Sequence, residues 1–190
     1  MKSHPNIRNI TVSGRIGSGA TTLAISLQKE LGWTLWEGGA LSEKFHKEQG
    51  SKETDVDKRP VSFDYKMEAL IEKMLKDKDH QIIQSHLAGF DAQNIPGIYK
   101  ILVICEDKNG NDLIELRAQR LVERKGITKE EALDEIEKRE GRNLKKWQAL
   151  YAPDDKNWVY WNKKYFDLVI NTAILSKAES LAFTLKNLNI

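Results

Sequence analysis

The apolar run Ile10-Thr11-Val12 leads directly into Gly14-Arg15-Ile16-Gly17-Ser18-Gly19-Ala20-Thr21-Thr22, and this junction restricts the fold more than any other segment. Gly14, Gly17 and Gly19 permit backbone angles closed to residues with a β-carbon, so successive N–H groups can turn inward around an anion. A helix opening near Gly19 adds its unpaired N–H groups and the positive end of its dipole to the same anion. The segment follows the pattern G-x-x-x-x-G-K-[ST], in which a strand ends and a helix begins, at every position except Ala20. The loop therefore predicts phosphate binding by Gly14, Arg15, Gly17, Ser18, Gly19, Ala20, Thr21 and Thr22. The Thr21 hydroxyl falls where Mg²⁺ is normally held, and Thr22 supports the first helical turn. A lysine at position 20 would have reached the β- and γ-phosphates. By analogy with removing one electrostatic donor, its loss costs about 3 to 4 kcal/mol of transition-state stabilisation. Two readings of Arg15 stay open: a guanidinium folded back toward the phosphates, or a solvated surface residue.

Elsewhere the hydrophobic period switches repeatedly between strand and helix. Strands are expected at 9–13, 34–36, 81–85, 100–105 and 168–170, the fourth nearly all apolar, as a parallel strand covered on both faces should be. Helices are expected at about 19–31, from Gly38-Gly39 to about Glu48, at 63–75, from Asp112 as cap to about Arg124, from Thr128 to roughly Lys146, and from Ser176 to about Leu188. Thr128-Lys129-Glu130-Glu131 and Ser176-Lys177-Ala178-Glu179 are capping boxes, and residues 49–60 read as a polar loop. Such alternation defines an α/β fold with a parallel sheet.

A chain of 190 residues fits one domain, 1–190, with a well-buried core. The net charge of +2 gives no argument for nucleic acid or membrane, and neither is expected as a partner. Cys105 is the single cysteine and ends an apolar strand, so it reads as a small core residue rather than half of a disulfide. The first ten residues lack the apolar stretch of a secretory signal, and a cytoplasmic setting is expected. Among the five tryptophans, Trp33 and Trp36 are expected beside the core, and Trp147, Trp158 and Trp161 in core or lid packing. His46 and His80 have no partners at metal spacing and read as surface residues.

Residues 117–146 are rich in cations, among them Arg120, Arg124, Arg139 and Arg142, interleaved with acids. Much of this is ordinary pairing on a helix surface, but arginines are also what a lid needs to grip transferring phosphates, two oxygens at a time. At this point the chain resembles the P-loop nucleoside monophosphate kinases, and within them the cytidylate kinases of bacterial and archaeal type. The resemblance runs from Ile10 to Leu188. It rests on the glycine loop, Gly39-Ala40-Leu41, Ser85-His86-Leu87-Ala88-Gly89-Phe90, Arg117-Ala118-Gln119-Arg120-Leu121, Arg139-Glu140 with Trp147-Gln148-Ala149-Leu150-Tyr151, and the stretch from Tyr165 to Thr172.

The resemblance implies a three-layer P-loop NTPase fold: a parallel five-stranded sheet with helices on both faces, an acceptor-binding excursion over 38–80 and a helical lid over 126–160. It implies γ-phosphoryl transfer from ATP to CMP or dCMP with Mg²⁺, by a monomer or homodimer. Arg120, Arg139 and Arg142 are then the catalytic arginines, and Gly39, Lys44, Asp64 and His86 bind substrate, with Asp55 and Asp57 as further acceptor-site acids. Four positions depart from the pattern: Ala20 for lysine, Glu43 and His86 for arginines, and Gln84 for an acid. A carboxylate at 43 repels an acceptor phosphate, with Lys44 beside it as partial relief. A histidine is a weaker phosphate partner than arginine because it is mostly neutral at pH 7. Two other functions therefore stand beside the kinase: a nucleotide- or anion-binding protein with a sensing or scaffold role, and a P-loop kinase for a different acceptor.

Overall fold

In the computed structural model, residues 7–48, 56 and 58–189 are described. Five strands, β1 (Asn9–Gly14), β2 (Thr34–Glu37), β3 (Gln81–Gln84), β4 (Ile98–Ile104) and β5 (Leu168–Asn171), form one sheet in the order β2-β3-β1-β4-β5. Every pairing is parallel. β1 is buried along its whole length, with Ile10 and Val12 on one face and Asn9, Thr11 and Ser13 on the other all withdrawn from water.

Alternation along β3 shows how the two faces are filled. Ile82 joins Ile10, Val12, Leu23, Leu27 and Leu188 on the face covered by α1 (Ala20–Leu31) and α8 (Lys177–Leu188). Ile83 points the other way, to Phe63, Met67, Ile71 and Leu75 of α3 (Val61–Asp77). Each such side chain, fully withdrawn from water, contributes about 1.5 to 3 kcal/mol. Asn9 closes the edge of this layer: its amide donates to the carbonyls of Leu75 and Lys78 and its oxygen accepts from Gln81 N, at 2.7–2.9 Å.

The expected α/β architecture is therefore the one observed, with corrections in detail. Asp112 does not cap the next helix. α5 (Ile114–Lys125) starts after Leu113, without a side-chain cap, and the Asp112 carboxylate is bound instead by Arg117 and Arg15. The capping boxes at Thr128 and Ser176 are both present. From Thr128 the helix runs past Lys146 as α6 (Lys129–Asp134), a π-helical turn (Glu135–Arg139) and α7 (Glu140–Tyr151). The short α4 (Ala88–Asp91) follows β3 and has no counterpart in the sequence reading. α2 (Gly38–Glu48) matches its expected bounds, but His46 is 2% exposed and stacks on Phe63 with ring centroids 4.0 Å apart, so it is not a surface residue. Its place on the apolar face beside Leu41 and Phe45 accounts for this. His80 is exposed, as expected. Trp147, Trp158 and Tyr160 build a separate aromatic cluster under α7. Of the polar loop 49–60, residues 49–55 and 57, including Asp55 and Asp57, lie outside the described residues.

Candidate active site

In an open parallel sheet, ligands bind beyond the carboxyl ends of the strands where successive connections leave in opposite directions. Here that point lies between β1, whose chain turns toward β2, and β3, whose chain crosses to β4. A cleft of about 1010 Å³ opens there, walled by the glycine loop, the end of β3, α2, α3 and the start of the 126–160 segment.

The loop has the conformation its glycines predict. Gly17 and Gly19 sit at φ +76° and +99°, and a β-carbon at Gly17 would come within 2.6 Å of the Arg117 carbonyl oxygen. At Gly14 the constraint is space: a β-carbon would lie 2.7 Å from Val103 O. Gly19 caps α1 without any side-chain hydrogen bond, which leaves the first N–H groups of the helix for an anion. Ala20 is 6% exposed and packs with the core at the cleft floor. Thr21 also lines the cleft, its hydroxyl 3.4 Å from Gln84 Oε1. Ser18 is buried behind the loop, where its carbonyl accepts from Thr172 Oγ1 at 2.6 Å. Ser18 and Thr22 are not among the lining residues.

Arg15 lines the cleft and is not the solvated surface residue of the second reading. Its guanidinium is three-quarters buried, bound to Glu140 at 2.6–2.8 Å and to Asp112 at 3.0 Å, and lies 4.4 Å over the Trp161 ring. The reason is Glu140, which carries two negative oxygens into a nearly closed space. One oxygen takes Arg15, and the other accepts from Ile16 N at 2.9 Å and Arg117 Nη2 at 2.7 Å. Arg117, fully buried, also donates to Ile16 O at 2.7 Å. The glycine loop is thus bolted to α5 and to the root of α7 by a closed set of charges. Sequence reasoning missed Asp112, Arg117 and Glu140 as site residues. Residues 15 and 140 are 125 positions apart, so no local pattern marks their pairing.

Arg120 is on α5, before the 126–160 segment, and braces the loop: it donates to Thr172 Oγ1 and Thr172 O, both at 2.8 Å, and lies 3.4 Å from Ser18 O. Arg139, on the π-turn, lines the cleft together with Arg124 and Lys125. Arg139 and Lys125 both point at Glu135, at 3.4 Å and at 2.6–2.7 Å. Arg142 is exposed on α7 and outside the lining set.

Of the residues expected to bind substrate, Gly39, Asp64 and His86 line the cleft, whereas Lys44 is exposed and does not. Glu43 lines it too, and the cation beside it is Lys47, at 2.8 Å, rather than Lys44. That ammonium holds the Glu43 carboxyl below its usual range. Asp64 is buried and held by Arg59 and by Lys146 at 2.6 Å. His86 Nδ1 donates to Gly14 O at 2.8 Å, and burial pushes the imidazole pKa down from 6.5 despite that bond. His86 thus lines the cleft as expected of a substrate-side residue, and its ring also supports the loop backbone.

A glycine cradle, a helix terminus and opposed cationic and acidic walls on this sheet define a P-loop kinase. The cytidylate kinase-like family model matches residues 9–174, and the chain belongs to that family. It is 29% identical over 182 residues to a cytidylate kinase of Ignicoccus hospitalis, covering 94% of this chain and 97% of that one. A cytidylate kinase of Thermococcus kodakarensis is 32% identical over 167 residues, covering 86% and 79%. Among solved structures, an uncharacterized protein from Eubacterium ventriosum superposes with a TM-score of 0.69 at 15% identity, covering 96% of this chain and 98% of that chain. A shikimate kinase from Bacteroides thetaiotaomicron superposes with 0.62 at 14%, covering 96% and 99%, a likeness of fold alone.

Proposed function

We propose that this chain transfers the γ-phosphoryl group of ATP to CMP or dCMP. The observation that carries the reading is one cleft in which the phosphate cradle, three cations of the 117–146 stretch and an acid-rich acceptor wall meet. Phosphoryl transfer asks little covalent chemistry of a protein; it needs aligned phosphates and positive charge around them. The loop N–H groups and the α1 terminus supply the first. For the second, Arg124, Lys125 and Arg139 stand in for the absent lysine, with Lys125 and Arg139 leaving Glu135 for the phosphates as the 126–160 lid closes over the 38–80 acceptor region. Thr21 Oγ1 and Gln84 Oε1 are hard oxygen ligands suited to Mg²⁺, which when bound neutralises charge on the β- and γ-phosphates. Arg120 and His86 hold the loop in shape from behind. A cytoplasmic setting belongs to the same reading, and no helix among the described residues is long and apolar enough to cross a membrane.

Purified protein incubated with ATP, Mg²⁺ and each nucleoside monophosphate should form ADP with CMP or dCMP. A second reading, nucleotide binding without transfer, is favoured by one observation: Ala20 has no charge and Arg15 is committed to Glu140 and Asp112. It predicts thermal stabilisation by ATP, about 2.7 kcal/mol at a concentration of 100 Kd, with no ADP from any acceptor.

A further inference from the structure

Lys146 and Glu140 sit on one helix, α7, and each grips a different wall of the cleft. The Lys146 ammonium donates to the carbonyls of Val56 and Arg59, both at 2.7 Å, and pairs with Asp64 at 2.6 Å. Three oxygens are as many as one ammonium can satisfy. Val56, Arg59 and Asp64 all line the cleft whereas Lys146 does not, so it acts on the cavity only through them. Six residues earlier, Glu140 holds Arg15, Ile16 N and Arg117, and Ile16 N belongs to the glycine loop. Six residues advance a helix by about 9 Å and about one and two-thirds turns, which puts the two grips on different sides of α7. Trp147 seats the same stretch, buried against Trp158 and Tyr160.

We propose that α7 is a strut through which the glycine loop sets the order of the opposite wall, with Lys146 as the positioning residue at its far end. This rests on the proposed function only in that the glycine loop takes a nucleotide phosphate. The sensitive point is Glu140, a carboxylate bonded to Ile16 N within an anion-binding loop. A phosphate in the cradle draws on the same N–H-rich loop, so its arrival changes the surroundings of Glu140 directly. Fixing the loop fixes that end of α7. The wall at Val56, Arg59 and Asp64 can then open only by breaking its bonds to a helix that no longer yields, and its openings become rarer. Order imposed by the first ligand reduces the ordering left for a second, which gives positive coupling between two sites with little change of shape. By reciprocity, a ligand bound against this wall tightens the cradle for its nucleotide by the same factor.

The test is hydrogen exchange of the full chain read by mass spectrometry, with and without the β,γ-imido analogue of ATP plus Mg²⁺, in wild type and Lys146→Met. ADP formation from CMP and ATP is measured separately. The analogue is expected to slow exchange in the glycine loop and, by about fivefold or more, in α3, whose first turn carries Asp64. Lys146→Met should keep the first effect and lose the second. A bond that merely held α3 in place would speed α3 exchange in the variant without altering its response to the analogue, so the response is what decides. Asp64 keeps Arg59 as a partner in that variant. Should the variant not fold, Asp64→Asn takes its place, because it removes the ion pair and leaves both carbonyl bonds, and the α3 response should shrink. No slowing of α3 in wild type, or equal slowing in a folded variant, would overturn the proposal, and ADP formed from CMP would still leave the kinase reading standing. Slowing of α3 that depends on Lys146, with no ADP from any acceptor, would do the reverse. No protection of the glycine loop by the analogue would overturn both.

Discussion

Ala20 and Gly17 show what one position in the loop can decide. Ala20 opens α1 and is among the residues that line the cleft. Introducing Ala20→Lys adds a cation at the phosphates to those already offered from the far wall. We expect kcat for ADP formation to rise about tenfold, less than the full value of one electrostatic donor, because Arg124, Lys125 and Arg139 already carry part of it. Steady-state kinetics checks this, and no rise would mean that charge at the loop does not limit the reaction. Gly17→Ala should act on structure: a β-carbon at φ +76° meets a backbone oxygen that cannot swing away, so the variant is expected to lose about 1 to 3 kcal/mol in urea unfolding. These glycines were legible from sequence because their demand is local. Glu140 was not, because what defines it is contact with Arg15, Ile16 and Arg117, none of them near it in the chain.

The element that most shapes the site is the long helix from Lys129 to Tyr151 with its π-turn at Glu135–Arg139. A π-turn takes an extra residue into the helix, and such turns recur at functional sites. Here Arg139, the last residue of the turn, lines the cleft, while Glu140 directly after it enters the buried charge cluster. One helix thereby anchors the loop and presents a cation to the cleft. Removing the anchor's charge should be severe, because Arg15 and Arg117 would keep theirs in a space with little water. Glu140→Gln is expected to cost about 3 to 5 kcal/mol of stability, measured by denaturant unfolding with ATP absent. A loss below about 1 kcal/mol would mean that the cluster opens to solvent. Among elements, β4 was readable because both faces of the strand are buried and its residues are correspondingly apolar, and the helices from Thr128 and Ser176 because their capping boxes announce them. α4 has only four residues, too few to show a period, and Asp112 has the chemistry of a cap but is drawn away by two arginines.

Across the molecule, the cleft gathers buried titratable groups with opposite responses to acid. His86 has a folded pKa below its ordinary 6.5, so the unfolded chain binds more protons than the native one just below that value. Its contribution therefore lowers stability as pH falls from 6.5 toward the folded pKa. Glu68 works the other way. With a folded pKa of about 7 against 4.5, the native state binds more protons between those values, and stability falls as pH rises through that window. Asp91 shifts in the same direction from 3.8. Burial of the Glu68 carboxylate is thus a penalty that is fully present only above about pH 7. Glu68→Gln should relieve it: the variant is expected to be more stable than wild type at pH 8 by about 1 to 2 kcal/mol, a figure reduced for solvent screening of a half-buried group, with the gain vanishing toward pH 4.5. Urea unfolding of both proteins at the two pH values measures the difference. An equal gain at both would assign the effect to packing of the amide rather than to relief of the buried, ionised carboxylate.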